Sequence, residues 1–467
     1  MQTAPSQAAP SGASFPRRRH LLAAAIFFTA IAVYGSWVPL NYRPLDFDVA
    51  VEKFREIPFL QLGVDSRADF VANILLFIPI TFCWLGTLTL DRKSLRVRLP
   101  AAALVVLLAA AFSVVLEFSQ LWFPGRTVSQ NDIFAETVGG LIGTLLWIAA
   151  GDRFAIWLRS VSNSREVQSR FDHLLTFYVA GLLIYMLLPL DLTIRPAEIW
   201  RQLRDGKLEL IPALPSRLDL ETVFGLLRDV ALWIPVGMWA AVWMTPRGRS
   251  CRSLTAAVIV SGGLLVTTEL AQVFVYSRYS STSDVVLGLI GATLGAGAMR
   301  CLRRSERTAP AAEKAGRNWR ALAWLALALL AALAIGVYSC APFEPVLTDR
   351  QLIEERFRGI LRVPFAAMYH GPEFNAVGQI LWKGGIFALV GGALTMAVER
   401  LRLASRLRAT ALAGVILASA GIALAIELCQ VVLPPHVPDI TDVILSTGGA
   451  ALGMFTALRI SDDRSTA

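Results

Sequence analysis

Three sets of polar residues recur at one spacing. They are Glu117, Gln120 and Asp132; Glu269, Gln272 and Asp284; and Glu427, Gln430 and Asp442. In each set the Gln follows the Glu by three residues and the Asp follows it by fifteen. Residues three apart share one face of a helix, so each Glu and Gln point the same way. Each Asp opens an apolar run, where a carboxylate can cap free N–H groups and meet the positive end of the helix dipole. Asn73, Arg126 and Glu136 accompany the first set, Asp229 and Arg278 the second, and Lys383 and His436 the third. Such groups, gathered in one place, can bind a lipid headgroup, hold a proton or tie helices together.

The elements that carry these groups are membrane spans. Of 467 residues, 55% are hydrophobic and only 17% are charged, against about 25% charged in a soluble chain. The mean hydropathy is +0.56. Runs such as Leu21–Leu40, Leu99–Leu116 and Ala321–Val337 reach bilayer-crossing length, roughly 17–25 residues. The net charge of +9 does not indicate nucleic acid, because the basic residues sit in short loops between apolar runs. The aromatic residues among them read as interfacial belts. Arg17 to Arg19 precede an apolar run that is read as a retained first span, too long for a signal peptide.

The repeats set the architecture. After each Asp come glycines seven and eleven residues on, namely Gly139 and Gly143, Gly291 and Gly295, Gly449 and Gly453, which are read as helix packing sites. Upstream of each set stand Pro39-Leu40, Pro189-Leu190 and Pro342-Phe343, then IPF, IPA and VPF, then the polar residues Asn73, Asp229 and Lys383. The expected fold is an all-α polytopic membrane protein of about twelve transmembrane helices. These form three parallel four-helix repeats at 20–150, 172–301 and 320–460. Basic linkers lie at 151–171 and 302–319, with tails at 1–19 and 461–467. The loop charges place the basic segments and both termini in the cytoplasm and the loops at 41–68, 191–221 and 341–374 outside. Each outer loop is expected to hold a short helix, either at the interface or in solvent.

Glu117 lies about six residues inside Phe123, or roughly 9 Å, in the outer half of the bilayer. A carboxylate inside a span costs about 2.5–3.5 kcal/mol on insertion scales. Repeating that cost three times fits an outward-opening ligand pocket in each copy, or interhelical glue between spans two, three and four. The first copy, with the fullest polar set, is the expected active site. Lys383 can neutralise Glu427 or Asp442 as a structural ion pair.

Cysteines at 83, 251, 301, 340 and 429 form no CxxC pair, which argues against a disulfide framework or a zinc site. The four histidines make no HExxH, and no P-loop, GxSxG elbow or dinucleotide fingerprint occurs. No metal or cofactor is expected.

IPF in the outer loop, NILLFIPI on the second span, and Glu117, Gln120, FPGR, Asp132 and the following glycines resemble the VanZ-like family of bacterial membrane proteins. The resemblance covers nearly the whole chain, as three copies instead of one. Asn73, Glu117, Gln120, Arg126 and Asp132 match the family's polar residues, and Glu136 stands where an Asn is common. The second copy has Asp229 for that span's Asn, and the third has Lys383. The resemblance implies an envelope protein of the bacterial inner membrane, with a role in teicoplanin-like antibiotic susceptibility. The leading expectation is a non-enzymatic protein whose pockets bind membrane lipids or lipid-linked envelope precursors. The alternatives are a flippase driven by protonation of Glu117, an enzyme using Glu117 or Asp132 as general base, and a scaffold.

Overall fold

The computed structural model describes residues 16–59, 64–163, 167–193, 195–209, 211–212, 219–244, 252–307, 316–370 and 373–461. The basic loop with Cys251, the middle of the second basic linker and most of both tails lie outside these. The first repeat contains α1 (Arg18–Trp37), α2 (Phe47–Arg55), α3 (Val64–Thr89), α4 (Leu95–Gln120) and α5 (Gln130–Asn163). The second contains α6 (Val167–Leu187), α7 (Pro196–Arg204), α8 (Leu220–Met244), α9 (Arg252–Gln272) and α10 (Thr282–Arg307). The third contains α11 (Gly316–Cys340), α12 (Arg350–Ile360), α13 (Glu373–Leu401), α14 (Ser405–Val431) and α15 (Ile440–Ser461).

The all-α polytopic class is thus observed. Among the described residues, eleven helices are long and apolar enough to cross a membrane, and the apolar part of the twelfth, Phe171–Leu187, is shorter. α2, α7 and α12 are the short helices expected in the long loops. One two-residue parallel pairing, β1 (Leu208–Glu209) with β2 (Ser280–Ser281), is the only sheet among the described residues. The chain divides into two compact units. One spans Met1–Leu62 and Phe70–Arg165; the other spans Gly63–Asp69 and Glu166–Ala467.

The three repeats share an internal register. A Cβ added to Gly139 or Gly143 would strike the carbonyls of Ile74 or Ile78. Gly291 and Gly295 meet Val230 and Ile234 in the same way, and Gly449 and Gly453 meet Gly384 and Ala388. In every repeat the fourth span therefore lies directly on the backbone of the second, an approach that only a residue without a side chain permits. Four residues after Asn73, Asp229 and Lys383 stand Phe77, Trp233 and Phe387, all buried. These aromatic residues fill the space between the spans near the polar sets.

The end of each first span is also fixed. It closes on a cis proline, at Pro39, Pro189 and Pro342. Four residues later a backbone N–H donates to the turn after the third span. The pairs are Arg43 to Trp122 at 2.8 Å, Thr193 to Phe274 at 2.8 Å and Val346 to Val432 at 2.9 Å. The short helices dock beside that turn. Phe54 on α2 meets Phe118 edge-on at 5.2 Å, and Gln202 on α7 reaches the Val275 carbonyl.

The helix bounds differ from expectation at the linkers. α5 continues to Asn163, through most of the segment expected to be a linker. Packing sustains it. Phe154 meets Phe82 edge-on at 5.4 Å, Ala155 is buried, and Asp152 pairs with Arg98 at 2.6 Å.

Candidate functional site

The repeated Glu is held in the same way in all three copies. Its Oε2 accepts the backbone N–H of the residue that precedes the fourth span. Ser129 donates to Glu117 at 3.2 Å, Ser281 to Glu269 at 3.1 Å and Asp439 to Glu427 at 2.7 Å. Glu117 and Glu427 are almost fully buried. The donors are themselves helix caps. Ser129 Oγ accepts from the Asp132 N–H at 3.3 Å and donates to Asp132 Oδ2 at 2.7 Å. Ser281 Oγ accepts from the Ser283 N–H at 3.0 Å, and Asp439 Oδ1 accepts from the Thr441 N–H at 2.8 Å. The caps carry a sequence signal, Ser129, Ser281 and Asp439 each three residues before the repeated Asp. This is the spacing of a capping box, and a search for helix starts would find it.

The repeated Asp meets the polar residue of the second span in the first and third copies, with a different chemistry in each. Asn73 Nδ2 donates to Asp132 Oδ1 at 2.8 Å, and Lys383 forms an ion pair with Asp442. In the second repeat Asp229 and Asp284 are both acceptors, and Asp229 takes the Arg228 guanidinium at 3.0 Å.

The repeated Gln departs from the expected convergence on one face. Gln120 Nε2 folds back to Glu117 Oε1 at 2.6 Å. Gln272 and Gln430 turn instead to the first span, donating to the carbonyls of Met186 at 2.9 Å and Ser339 at 2.7 Å. The guanidinium groups also divide. Arg126 stands close enough to act electrostatically on Glu117 and Asp132. Arg278 likewise acts electrostatically on Glu269, but its hydrogen bonds go to backbone carbonyls, Leu188 at 2.7 Å and Tyr185. In the third repeat, where His436 stands near the Arg position, Arg356 comes in from α12. It spreads over the carbonyls of Gln430 at 2.7 Å, Val431 at 2.7 Å and Leu433 at 2.9 Å. Nothing in the chain order of the motif identifies Arg356. Glu136 is 3% exposed and its Oε2 has no partner; the corresponding residues are Gly288 and Ser446.

A cavity of about 730 Å³ opens in the third repeat, within the range of small-molecule sites, roughly 300–1,000 Å³. Lys383, Asp442, Glu427, Gln430 and His436 gather at it with Ser446 and Asp219. Ile335, Phe387, Ala423, Ile426 and Phe343 provide apolar wall. The sequence reading expected an outward-opening pocket in each copy, with the first as the active site; this cavity is the third copy's. Gln120 bonds to Glu117, whereas Gln430 donates to α11 and lines the cavity beside the nearly buried Glu427. Among the described residues, no group of three or more His, Cys, Asp or Glu side chains is placed to hold a metal.

The VanZ/LLP1 family model matches residues 17–151, 175–303 and 321–461. The chain belongs to the VanZ/LLP1 family. It carries three tandem VanZ/LLP1 repeats and is a multi-pass membrane protein. No curated protein and no solved structure matches it. Each VanZ/LLP1 repeat contributes the same scaffold, a Glu-bound turn capping the fourth span. The groups around that scaffold are what distinguish the three copies.

Proposed function

We propose that this VanZ/LLP1 protein lies in the bacterial inner membrane with both termini cytoplasmic. Its cavity opens toward the outer leaflet and binds an envelope lipid or lipid-linked glycan. The observation that carries this reading is the third-repeat cavity, with a charged and hydrogen-bonding set beside an apolar wall. Lys383 and His436 suit a phosphate, and Asp442 and Asp219 suit an amine or hydroxyl. Ile335, Phe387 and Ala423 suit the upper part of an acyl or prenyl chain. Removing such a ligand from the outer leaflet, or screening it there, would connect the protein to susceptibility to teicoplanin-like drugs.

The test is native mass spectrometry of the purified protein beside the Ala423→Phe variant. Ala423 is buried on the cavity wall, so the larger side chain fills the space and leaves every polar pair intact. The expected result is a lipid adduct on the wild type that falls about tenfold in the variant, a change of about 1.4 kcal/mol. Equal adducts on both proteins refute the site.

Two other readings have support of their own. A scaffold is favoured by the first repeat, where Glu117 and Asp132 are satisfied by neutral donors within the fold. Proton-coupled lipid movement is favoured by the buried, unpartnered Glu136 Oε2. Loss of pH-dependent lipid transfer between leaflets in a Glu136→Gln variant would support transport, and absence of transfer in the wild type would eliminate it.

A further inference from the structure

Two thiols that lie far apart in sequence meet in the third repeat. Cys340 is the last residue of α11, and Cys429 lies two residues before the end of α14. The two side chains are within hydrogen-bonding reach of each other. An independent contact fixes their approach. Gln430 Nε2 donates to the Ser339 carbonyl at 2.7 Å, so the adjoining residue on each helix is drawn to its counterpart. Both thiols are free; Cys340 is buried and Cys429 is exposed. Ser339, Ala341 and Gln430, which flank them, all line the cavity.

We propose that Cys340 and Cys429 are a redox-sensitive pair, a modification site whose disulfide staples α11 to α14 at the wall of the third-repeat cavity. Cys429, the accessible thiol, reacts first as its thiolate. It attacks one sulfur of a small-molecule or protein disulfide, forms a mixed disulfide and releases one thiolate. Cys340 then loses its proton and attacks the Cys429 sulfur, and the second thiolate leaves. Two thiols are oxidised, the incoming disulfide is reduced by two electrons, and the two protons go to the released thiolates. The staple joins the first and third spans where the Gln430 bond already holds them, so the cavity wall becomes fixed. The proposal stands whichever ligand the cavity takes.

The test uses the full-length protein purified in detergent and equilibrated with excess glutathione disulfide. Remaining thiols are blocked with N-ethylmaleimide, and the protein is digested without reductant for mass spectrometry. The expected product is a peptide pair linked through Cys340 and Cys429, reversed by dithiothreitol. The oxidised wild type should unfold at a higher temperature than the reduced form, and the Cys429→Ser variant should show no such difference. Separate maleimide or glutathione adducts on both cysteines, with no linked peptide, overturn the proposal. So does a linked pair made with Cys83, Cys251 or Cys301 in place of either one.

Discussion

Replacing each repeated Glu by Leu and by Gln isolates what its carboxylate does. Leu removes the acceptor and leaves the cap residue's N–H without a partner. Gln keeps a side-chain oxygen in the same place. A buried donor left unsatisfied costs about 1–3 kcal/mol. Glu427→Leu loses the 2.7 Å bond from Asp439, where both groups are buried, and should fall in the upper part of that range. Glu117→Leu loses the 3.2 Å bond from Ser129 and also strands the Gln120 amide, held at 2.6 Å. It should therefore cost at least as much. Glu269 is only half-buried and its bond from Ser281 is 3.1 Å, so Glu269→Leu should cost least, about 1 kcal/mol. The Gln variants should each cost less than their Leu counterparts. The assay is unfolding in mixed micelles followed by tryptophan fluorescence. If Gln proves as damaging as Leu in all three repeats, the charge matters and the hydrogen bond does not, and the capping account is wrong. If the Leu variants unfold like wild type, the turn does not depend on the Glu.

Four further outcomes follow from the same geometry. Gly295→Ala, which drives a Cβ into the Ile234 carbonyl, should cost about 1–3 kcal/mol, while Gly297→Ala, with open space around it, should be close to neutral in the same unfolding assay. Lys383→Ala strands Asp442 and should destabilise by about 3–5 kcal/mol. Lys383→Asn supplies the amide that Asn73 gives Asp132 and should recover much of that loss. Arg356→Ala removes the donor to five turn carbonyls, so protease cleavage near residues 431–436 should rise sharply, with little change in the first repeat. Burial raises the Asp191 carboxyl above its ordinary range against the pull of Ser277 and Lys207. The folded chain thus takes that proton more readily than the unfolded one, and Asp191 weakens stability as pH rises through the raised value. Asp191→Asn should flatten that slope in an unfolding series across pH.

How much was legible in the sequence depended on the range of the interaction. The short helices α2, α7 and α12 could be read from apolar spacing within the outer loops, because a helix's exposed and buried faces alternate with its own period. The contact of Gly139 with the second span was legible as a packing glycine, but its partner Ile74 was not. α5 outran its expected end because Phe154 and Ala155 find partners on α3, and nothing local records a partner. Asp132 was legible as a helix-start residue, but the bond that ties its capping partner Ser129 to Glu117 joins two different helices, and no local spacing records it.

The sequence by itself determined the spans, the threefold repeat and the Glu–Gln–Asp spacing, since each follows from the period of one helix or from the chain's likeness to itself. Tertiary structure alone decided that Gln120 closes over Glu117 while Gln430 turns to Ser339. It also decided that Arg356 takes over the carbonyls beside His436 and that Cys340 meets Cys429. The reason is that the rotation of one helix against another is set by all the side chains between them. A motif repeated in the sequence can therefore end in a closed polar contact in one repeat and an open cavity in another.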